Sequence, residues 1–337
     1  MEVLVTGANG FIGSHLCSRL VNRGDAVKAF VLEKTSTDFM LSLIEGHQDK
    51  LQIVEGNVLD IDSIRKAVTG VDAVVHLAGV IKAKRKEVFD SVNVQGSVNV
   101  CQALVGENPG VGSVIMTSSS TMMGPAPLSC PATEDREPNV LHDDFYAESK
   151  LSMERSIEPF YDLLPISIVR PPGVFGPGDM PSLDIYKFAK RGLKLLIGKE
   201  PRHFSIVDVR DLCSGICAMM ANPKAVGEAF FFATGDIMDW DSFQELIGRV
   251  VFGKTKPLRK FRVSEKTAIR FGAFMGFLGK LFGKVPFLTK AKMTELASEG
   301  WCVDCSKARN LLGWKPEQTI ESLIRDAGSW YREHGYL

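Results

Sequence analysis

The glycine-rich stretch TGANGFIG at residues 6–13 constrains the fold more than any other part of this chain. It follows a short apolar run at 3–5 and opens into a segment with helical spacing that ends near Arg23, after which a second apolar run begins. In such a unit Gly7 permits a tight strand-to-helix turn, Gly10 lets the backbone approach a pyrophosphate, and Gly13 lets the helix pack close to the strand. An ordinary glycine-rich loop is the alternative. The flanking runs favour a dinucleotide-binding turn, with the phosphates at the helix N-terminus.

Short apolar, β-branched runs recur along the first half of the chain, separated by segments long enough for a helix. They lie at 3–5, 27–32, 51–54, 73–77, 113–116 and 166–169. This alternation predicts an α/β fold, a Rossmann-type doubly wound parallel sheet. After about residue 175 strand signals thin out to 204–207 and 229–233. We therefore predict a dinucleotide-binding domain over 1–175 and a smaller, mostly helical substrate lobe over 176–337 that shares elements with it.

Charge and cysteine content narrow the class of protein. The 337 residues include 40 basic and 40 acidic ones, so no overall field favours nucleic acid as a partner. The seven scattered cysteines favour reduced thiols in the cytoplasm over a disulfide framework. Cys302 and Cys305 form a CxxC without a second pair, so we predict no metal site. We also expect no signal peptide and no membrane-spanning helix.

Tyr146 and Lys150 stand four residues apart in a stretch with helical spacing, so their side chains lie on one face. A free phenol has a pKa of about 10, and a nearby ammonium stabilises the phenolate. We therefore expect Lys150 to lower the pKa of Tyr146 and make it a general acid/base. A lone YxxxK pair is common on solvated helices. Here the run at 113–116 leads into Thr117 and the serines 118–120, which places hydroxyls at the sheet edge where such folds bind ligands.

Together these motifs resemble the extended short-chain dehydrogenase/reductases, the NAD-dependent epimerase/dehydratase superfamily. The resemblance covers nearly the whole chain. It includes the glycine turn, HLAG at 76–79, VNVQG at 92–96, the serine run, the tyrosine and lysine, and RPPGVFGPG at 170–178. It implies a nicotinamide cofactor, hydride chemistry and a homodimer.

The resemblance also implies roles for single residues. The implied catalytic residues are Ser119, which positions the reacting oxygen, Tyr146, which moves the proton, and Lys150, which also holds the nicotinamide ribose. Asn93 would support the active-site helix, with a proton relay as the open alternative, and His76 would be a packed strand-end histidine. The cofactor-binding residues are predicted to be Gly7, Asn9, Gly10, Phe11, Ile12, Gly13, Glu33, Lys34, Asn57, Val58, Leu77, Ala78, Gly79, Asn93, Thr117, Tyr146, Lys150, Pro171, Gly173 and Val174.

The choice between NAD and NADP depends on the residues after the second strand. An acid there holds a ribose hydroxyl, whereas a base accommodates a 2′-phosphate. Glu33 favours NAD, while Lys34 and Ser36 keep NADP open. Two positions depart from the family pattern. Asn57 stands where an aspartate usually touches adenine, and Met123 replaces a tyrosine frequent in sugar-nucleotide enzymes, which predicts a less polar pocket.

Two further stretches bear on the substrate. Sugar-nucleotide dehydratases carry an acidic pair after the active-site hydroxyl, and Ser120-Thr121 contains no carboxylate, which argues against that branch. Arg202-His203-Phe204 resembles the segment in which sugar-nucleotide enzymes hold a diphosphate, although an exposed arginine before a strand is the alternative.

The stretch at 254–292 combines eleven basic residues, against Glu265 alone, with an apolar core that includes IRFGAFMGFLG at 269–279. This pattern suits a helix in a membrane interface, and a buried helix of the small lobe is the alternative. The stretch, with the segment at 304–316, resembles the 3β-hydroxysteroid dehydrogenase-like branch. That resemblance implies an apolar alcohol or ketone as substrate.

The sequence thus predicts an NAD(P)-dependent oxidoreductase acting on a secondary alcohol or ketone of a sterol-like or long-chain substrate. A sugar-nucleotide epimerase that uses the same residues is the first alternative. A non-catalytic NAD(P)-binding sensor or scaffold is the second, and the intact Ser119, Tyr146 and Lys150 count against it.

Overall fold

The computed structural model describes residues 1–44, 46–198, 201–281 and 289–337. Part of the basic apolar stretch, residues 282–288, therefore lies outside the described residues. The strands, in chain order, are β1 (Glu2–Thr6), β2 (Ala26–Val31), β3 (Leu51–Glu55), β4 (Ala73–His76), β5 (Ser113–Thr117), β6 (Ile166–Val169), β7 (Gly173–Phe175), β8 (Leu193–Ile197), β9 (His203–Phe204), β10 (Ile206–Asp208), β11 (Ala229–Phe230), β12 (Met238–Asp239), β13 (Arg259–Val263) and β14 (Gly300–Trp301).

Helices alternate with these strands. They are α1 (Phe11–Arg23), α2 (Asp38–Ser42), α3 (Ile61–Val68), α4 (Lys86–Phe89), α5 (Gly96–Glu107), α6 (Phe145–Ile157), α7 (Leu183–Lys190), α8 (Val209–Ala221), α9 (Trp240–Phe252), α10 (Glu265–Leu281), α11 (Lys290–Ala297), α12 (Ser306–Leu312) and α13 (Ile320–Glu333). Between α4 and α5 the chain makes a π-helical turn at Asp90–Gln95. Short 3-10 turns lie at Gln48–Lys50, Ser120–Met123, Glu158–Phe160 and Pro223–Ala225.

Seven strands form one parallel sheet in the order β11-β6-β5-β4-β1-β2-β3. Its central strands are apolar along their length because helices cover both faces. On one face the core contains Leu16 of α1 and Leu212 of α8. On the other it contains Ile64 of α3, Leu104 of α5 and Met153 of α6. The predicted Rossmann-type α/β fold is thus confirmed.

All six apolar runs of the first half form strands of this sheet, within a residue or two of the predicted bounds. The seventh strand was not predicted to join them. It is β11, which covers only two residues of the run at 229–233 and pairs with β6. Both β11 and α8 lie beyond residue 175 in the chain, yet they belong to the seven-stranded sheet and its helical cover. The domain boundary at residue 175 stays a prediction.

The rest of the chain builds a second core from α7, α9 and α13. Phe175, Tyr186, Phe243 and Tyr331 are buried there. Beside it β8 pairs with β13. Helix α10 packs against α11, since Gly272 has no Cβ to collide with Met293. Within the described ranges, no helix combines the length and the apolar character needed to span a membrane.

Two glycines in helices should respond in opposite ways to substitution by alanine. A Cβ added at Gly13 would lie 2.2 Å from the Gly7 carbonyl oxygen, so Gly13→Ala should lower the free energy of unfolding by about 1–3 kcal/mol. Gly106 also lies in a helix, but no atom lies within 4 Å of the Cβ it would gain. Gly106→Ala should therefore raise the free energy of unfolding by up to about 1 kcal/mol. Urea unfolding of both variants checks this, and a Gly13→Ala variant as stable as wild type would contradict the packing account.

Candidate functional site

The glycine turn brings the start of α1 close to the chain after β4. Gly7 adopts φ +67°, and its N–H donates to the Phe30 carbonyl at 3.0 Å. A Cβ on Gly7 would lie 2.8 Å from the Ala78 backbone nitrogen. The N-cap residue before the helix, Gly10, provides no side-chain cap, and the first turn contains no acid. The backbone amides of this turn are therefore suited to an anion such as a pyrophosphate.

The loop after β2 is held against this turn by Asn9. Its side-chain amide donates to the Thr35 hydroxyl at 2.8 Å and to the Ser36 carbonyl at 2.9 Å. Glu33 and Lys34 are both exposed on this loop, and Lys34 adopts φ +61°. An acid and a base thus lie together where the adenine ribose would bind, as the sequence indicated. The contact between Asn9 and this loop had no sequence signal, because the partners are 26 and 27 residues apart.

The opposite wall of the predicted cofactor site follows β3 and β4. Asn57 is exposed, and its side-chain oxygen accepts a hydrogen bond from the Leu59 N–H at 2.9 Å. Val58 is buried, and its carbonyl accepts from Asn99. After β4, the Leu77 and Ala78 N–H groups donate to the Thr6 carbonyl and hydroxyl. These contacts fix the backbone at 57–58 and 77–78 beside the glycine turn.

His76 has a structural role. Its ring nitrogens lie 2.7 Å from the Thr6 hydroxyl and 3.0 Å from the Ser97 hydroxyl. Burial, together with the smaller effect of the Lys150 charge, lowers the pKa of His76 to about 3, so the imidazole is neutral at physiological pH. The prediction of a packed strand-end histidine is confirmed.

Asn93 links the loop after β4 to the helix that carries Tyr146. Its amide accepts from the Val80 N–H at 2.8 Å, donates to the Val80 carbonyl at 3.0 Å, and donates to the Ser149 hydroxyl at 2.9 Å. The residue is buried, and Gly79 lies against its side-chain oxygen. These contacts favour the supporting role over the proton relay.

The three predicted catalytic side chains converge at the carboxyl end of β5. The Lys150 ammonium donates to the Thr117 carbonyl at 2.7 Å and lies 6.0 Å from the centroid of the Tyr146 ring. The Ser119 hydroxyl lies next to the Tyr146 phenol and acts to lower its pKa. Ser119 also accepts from the Thr121 N–H and hydroxyl at 3.3 and 2.9 Å. Asp144 caps α6 through the Ala147 N–H and thereby fixes the start of this helix.

Burial dominates the acid–base properties of the pair. Burial, with smaller contributions from the charges of Asp144 and Glu295, raises the pKa of Tyr146 to about 12 against the opposing effect of Ser119. It lowers the pKa of Lys150 to about 8. The prediction of a lowered pKa for Tyr146 is therefore wrong for this arrangement, because desolvation raises it and outweighs the opposing contact with Ser119. At neutral pH Tyr146 is a protonated phenol.

Asp144 and Glu295 are charged neighbours of the tyrosine that sequence reasoning missed. Glu295 belongs to α11, whose Lys290 forms an ion pair with Asp143 at 3.1 Å. This pair holds α11 against the start of α6 across 147 residues of sequence. Only Asp144 had a recognisable signal, because an aspartate directly before a helical stretch is a common N-cap.

The residues present fit a nicotinamide dinucleotide. Among the described residues the Thr117 hydroxyl is buried without a hydrogen-bond partner, directly beside the Lys150 contact. A ligand group in the cleft would satisfy it. The Pro171 carbonyl accepts from the Ser120 N–H at 3.0 Å, and Gly173 and Val174 follow in β7. The predicted nicotinamide border thus lies next to the serine run.

Two substrate-side expectations change with the structure. Met123 lies in an apolar cluster with Phe231 and is 1% exposed, so it does not line an open pocket. Arg202 is not an exposed arginine, since its side chain is only 15% exposed and forms an ion pair with Glu265. Its Nε is buried and has no hydrogen-bond partner in the part of the chain that the structure describes.

Comparison with known proteins agrees with this geometry. A model of the NAD dependent epimerase/dehydratase family matches residues 3–249. A 3 beta-hydroxysteroid dehydrogenase/Delta 5-->4-isomerase of Mycobacterium tuberculosis is 26% identical, covering 98% of this chain and 90% of its own. A 2-alkyl-3-oxoalkanoate reductase of Stenotrophomonas maltophilia is 28% identical, covering 96% and 98%. A UDP-glucose 4-epimerase of Vibrio cholerae is 26% identical, covering 95% and 92%.

Solved structures confirm the fold. A UDP-glucuronic acid 4-epimerase from Bacillus cereus, determined in complex with NAD, superposes with a TM-score of 0.76. The two chains are 19% identical, and the match covers 100% of each. At that identity the likeness establishes the architecture and not the substrate.

The pKa of Lys150 generates a stability prediction. The folded value of about 8 lies below the ordinary 10.5, so the unfolded chain binds more protons between these two pH values and stability rises with pH there. The difference in unfolding free energy between wild type and Lys150→Met should therefore change by about 2–3 kcal/mol, in favour of wild type, as the pH rises from 7 to 10.5. Lys66→Met, which removes an exposed lysine instead of a buried one, is the control variant. Denaturant unfolding across this range checks it, and a flat difference for Lys150→Met would contradict the burial account.

Proposed function

This chain belongs to the NAD-dependent epimerase/dehydratase family, and we propose that it is an oxidoreductase acting on a secondary alcohol or ketone of an apolar substrate. The observation that carries the proposal is the convergence of Ser119, Tyr146 and Lys150 at the edge of β5, beside the glycine turn. A non-catalytic sensor has no need of this convergence.

Each side chain has a task in the proposed reaction. The nicotinamide, when bound, accepts or supplies the hydride at its C4 atom. The Tyr146 phenol donates its proton to the substrate oxygen during reduction, or takes it back as phenolate during oxidation. Ser119 holds that oxygen through its hydroxyl. Lys150 holds the ribose, and its ammonium stabilises the phenolate when that form arises.

Several observations support an apolar substrate. One relative is named for a 3β-hydroxysteroid and another for a 2-alkyl-3-oxoalkanoate, both carbonyl or alcohol compounds with large apolar parts. The turn after Ser119 contains hydroxyl and methionine side chains and no carboxylate. A dehydratase would need an acid there.

A sugar-nucleotide epimerase is the second candidate, and the relative from Vibrio cholerae favours it. An epimerase would use the same proton donor and need no net change in the cofactor. Arg202, the residue expected to meet a diphosphate, is instead neutralised by Glu265. This ion pair favours the first candidate.

For the cofactor we propose NAD, with the Glu33 carboxylate accepting from the adenine ribose hydroxyls. Lys34 and Ser36 are the residues that would meet a 2′-phosphate if NADP binds instead. A homodimer in the cytoplasm, in contact with a membrane surface, completes the proposal. The homodimer follows from the family resemblance, and sedimentation of the purified protein tests it.

Removing the Tyr146 hydroxyl oxygen tests the proposed reaction. Tyr146→Phe should lower kcat by about 10²- to 10⁴-fold, because the general acid is lost. It should leave the affinity for reduced cofactor nearly intact, as measured by cofactor fluorescence. Tyr161→Phe removes a phenol outside the site and should keep full activity. Retention of full activity by Tyr146→Phe would remove this residue from the mechanism.

A further inference from the structure

Three phenylalanines are exposed on two consecutive elements of the chain, β13 and α10. Phe261 of β13 is 60% exposed, and Phe271 and Phe274 of α10 are 48% and 57% exposed. Among the large apolar side chains that the described residues expose, only one other phenylalanine occurs, Phe145. We call these three rings, with the basic residues of the same two elements, the aromatic face.

The two exposed rings of α10 lie away from its packed side. Ala268 and Gly272 are buried against α11, where Gly272 lies close to Met293 and Thr289. At about 100° per residue, Phe274 projects from the side opposite Gly272, and Phe271 lies at the edge between the two sides. Both rings stay about half exposed among the residues that the structure describes.

Basic residues accompany the rings on both elements. Between residues 259 and 274 the chain carries five bases and one acid. Lys266 and Arg270 are exposed on the same side of α10 as Phe274. The single acid, Glu265, forms an ion pair with Arg202 and so does not offset them. On β13 the bases are Arg259, Lys260 and Arg262; Lys260 pairs with Asp241, and Arg262 donates to the Gly198 carbonyl at 2.6 Å.

We propose that the aromatic face binds an anionic lipid bilayer, with its three phenylalanines inserted among the headgroups and its bases on the lipid phosphates and carboxylates. Exposed aromatic rings flanked by cations have the chemistry of an interfacial anchor. A second copy of this chain would place like charges opposite each other, which disfavours self-association through this face. The charge pattern therefore favours a lipid surface as the occupant.

The anchor is one helix away from the candidate active site. Helix α11 packs on α10, and its Lys290 contacts Asp143 at the start of the helix that carries Tyr146. A bilayer on the aromatic face would hold the cleft near a source of apolar substrate. Binding to lipid does not depend on the proposed reaction, so each can fail without the other.

Vesicle co-sedimentation of the full-length protein tests the anchor. We expect binding to vesicles of phosphatidylcholine and phosphatidylserine at low salt, at least tenfold weaker binding to phosphatidylcholine alone, and loss of binding at high salt. Phe271→Ser with Phe274→Ser should weaken partitioning at least tenfold, and so should Lys266→Glu with Arg270→Glu. Two double variants at exposed positions elsewhere are the matched controls, and they should bind vesicles like wild type. One combines Leu59→Ser with Leu163→Ser, and the other combines Lys66→Glu with Arg325→Glu.

Thermal melting of each variant separates lost binding from lost folding, and NADH binding provides a second check of the fold. Three outcomes would overturn the proposal. In the first, the wild-type protein stays in solution with anionic vesicles at low salt. In the second, the control double variants lose as much binding as the Phe271→Ser, Phe274→Ser double variant. In the third, no lipid binds, and the wild-type protein instead self-associates in a way that this double variant abolishes.

Discussion

The close approach of α1 to the sheet is the constraint on which the site depends. Because Gly7 and Gly13 have no side chains, the helix begins against the end of β1 and beside Ala78 after β4. This places uncapped backbone amides at the carboxyl edge of a parallel sheet. The same edge carries the hydroxyls that follow β5, so the residues suited to anion binding and those suited to proton transfer lie at one edge of the sheet.

A buried polar chain transmits this placement to the catalytic helix. His76 joins β1 to α5, and Asn93 joins the loop after β4 to Ser149 on the helix of Tyr146. Every link is hydrogen-bonded inside the core, which makes displacement of any member costly. The tyrosine and lysine are therefore held in a desolvated position, and desolvation is what moves their pKa values toward the neutral forms.

Much of this arrangement could be predicted from the sequence, for physical reasons. Central parallel strands are apolar on both faces and appear as continuous runs, and glycine spacing and the YxxxK pair are local patterns. Contacts between distant segments leave no such pattern. The pairing of the short β11 with β6, the ion pair of Arg202 with Glu265, and the position of Glu295 near Tyr146 all depend on tertiary packing. The direction of the Tyr146 pKa was mispredicted because the extent of burial is not encoded in spacing.

We propose that the site at the carboxyl end of β5 moves a hydride to or from an apolar alcohol or ketone, with net reduction or oxidation of the cofactor. Absorbance of the reduced nicotinamide, with NAD and NADP each offered against 3β-hydroxysteroids, long-chain hydroxy acids and sugar nucleotides, tests it most directly when products are identified by mass spectrometry. We predict net cofactor reduction with an apolar alcohol. Whether NAD or NADP supports the faster reaction decides whether Glu33 or Lys34 selects the cofactor. Unchanged absorbance while a sugar nucleotide is converted to its epimer would contradict it.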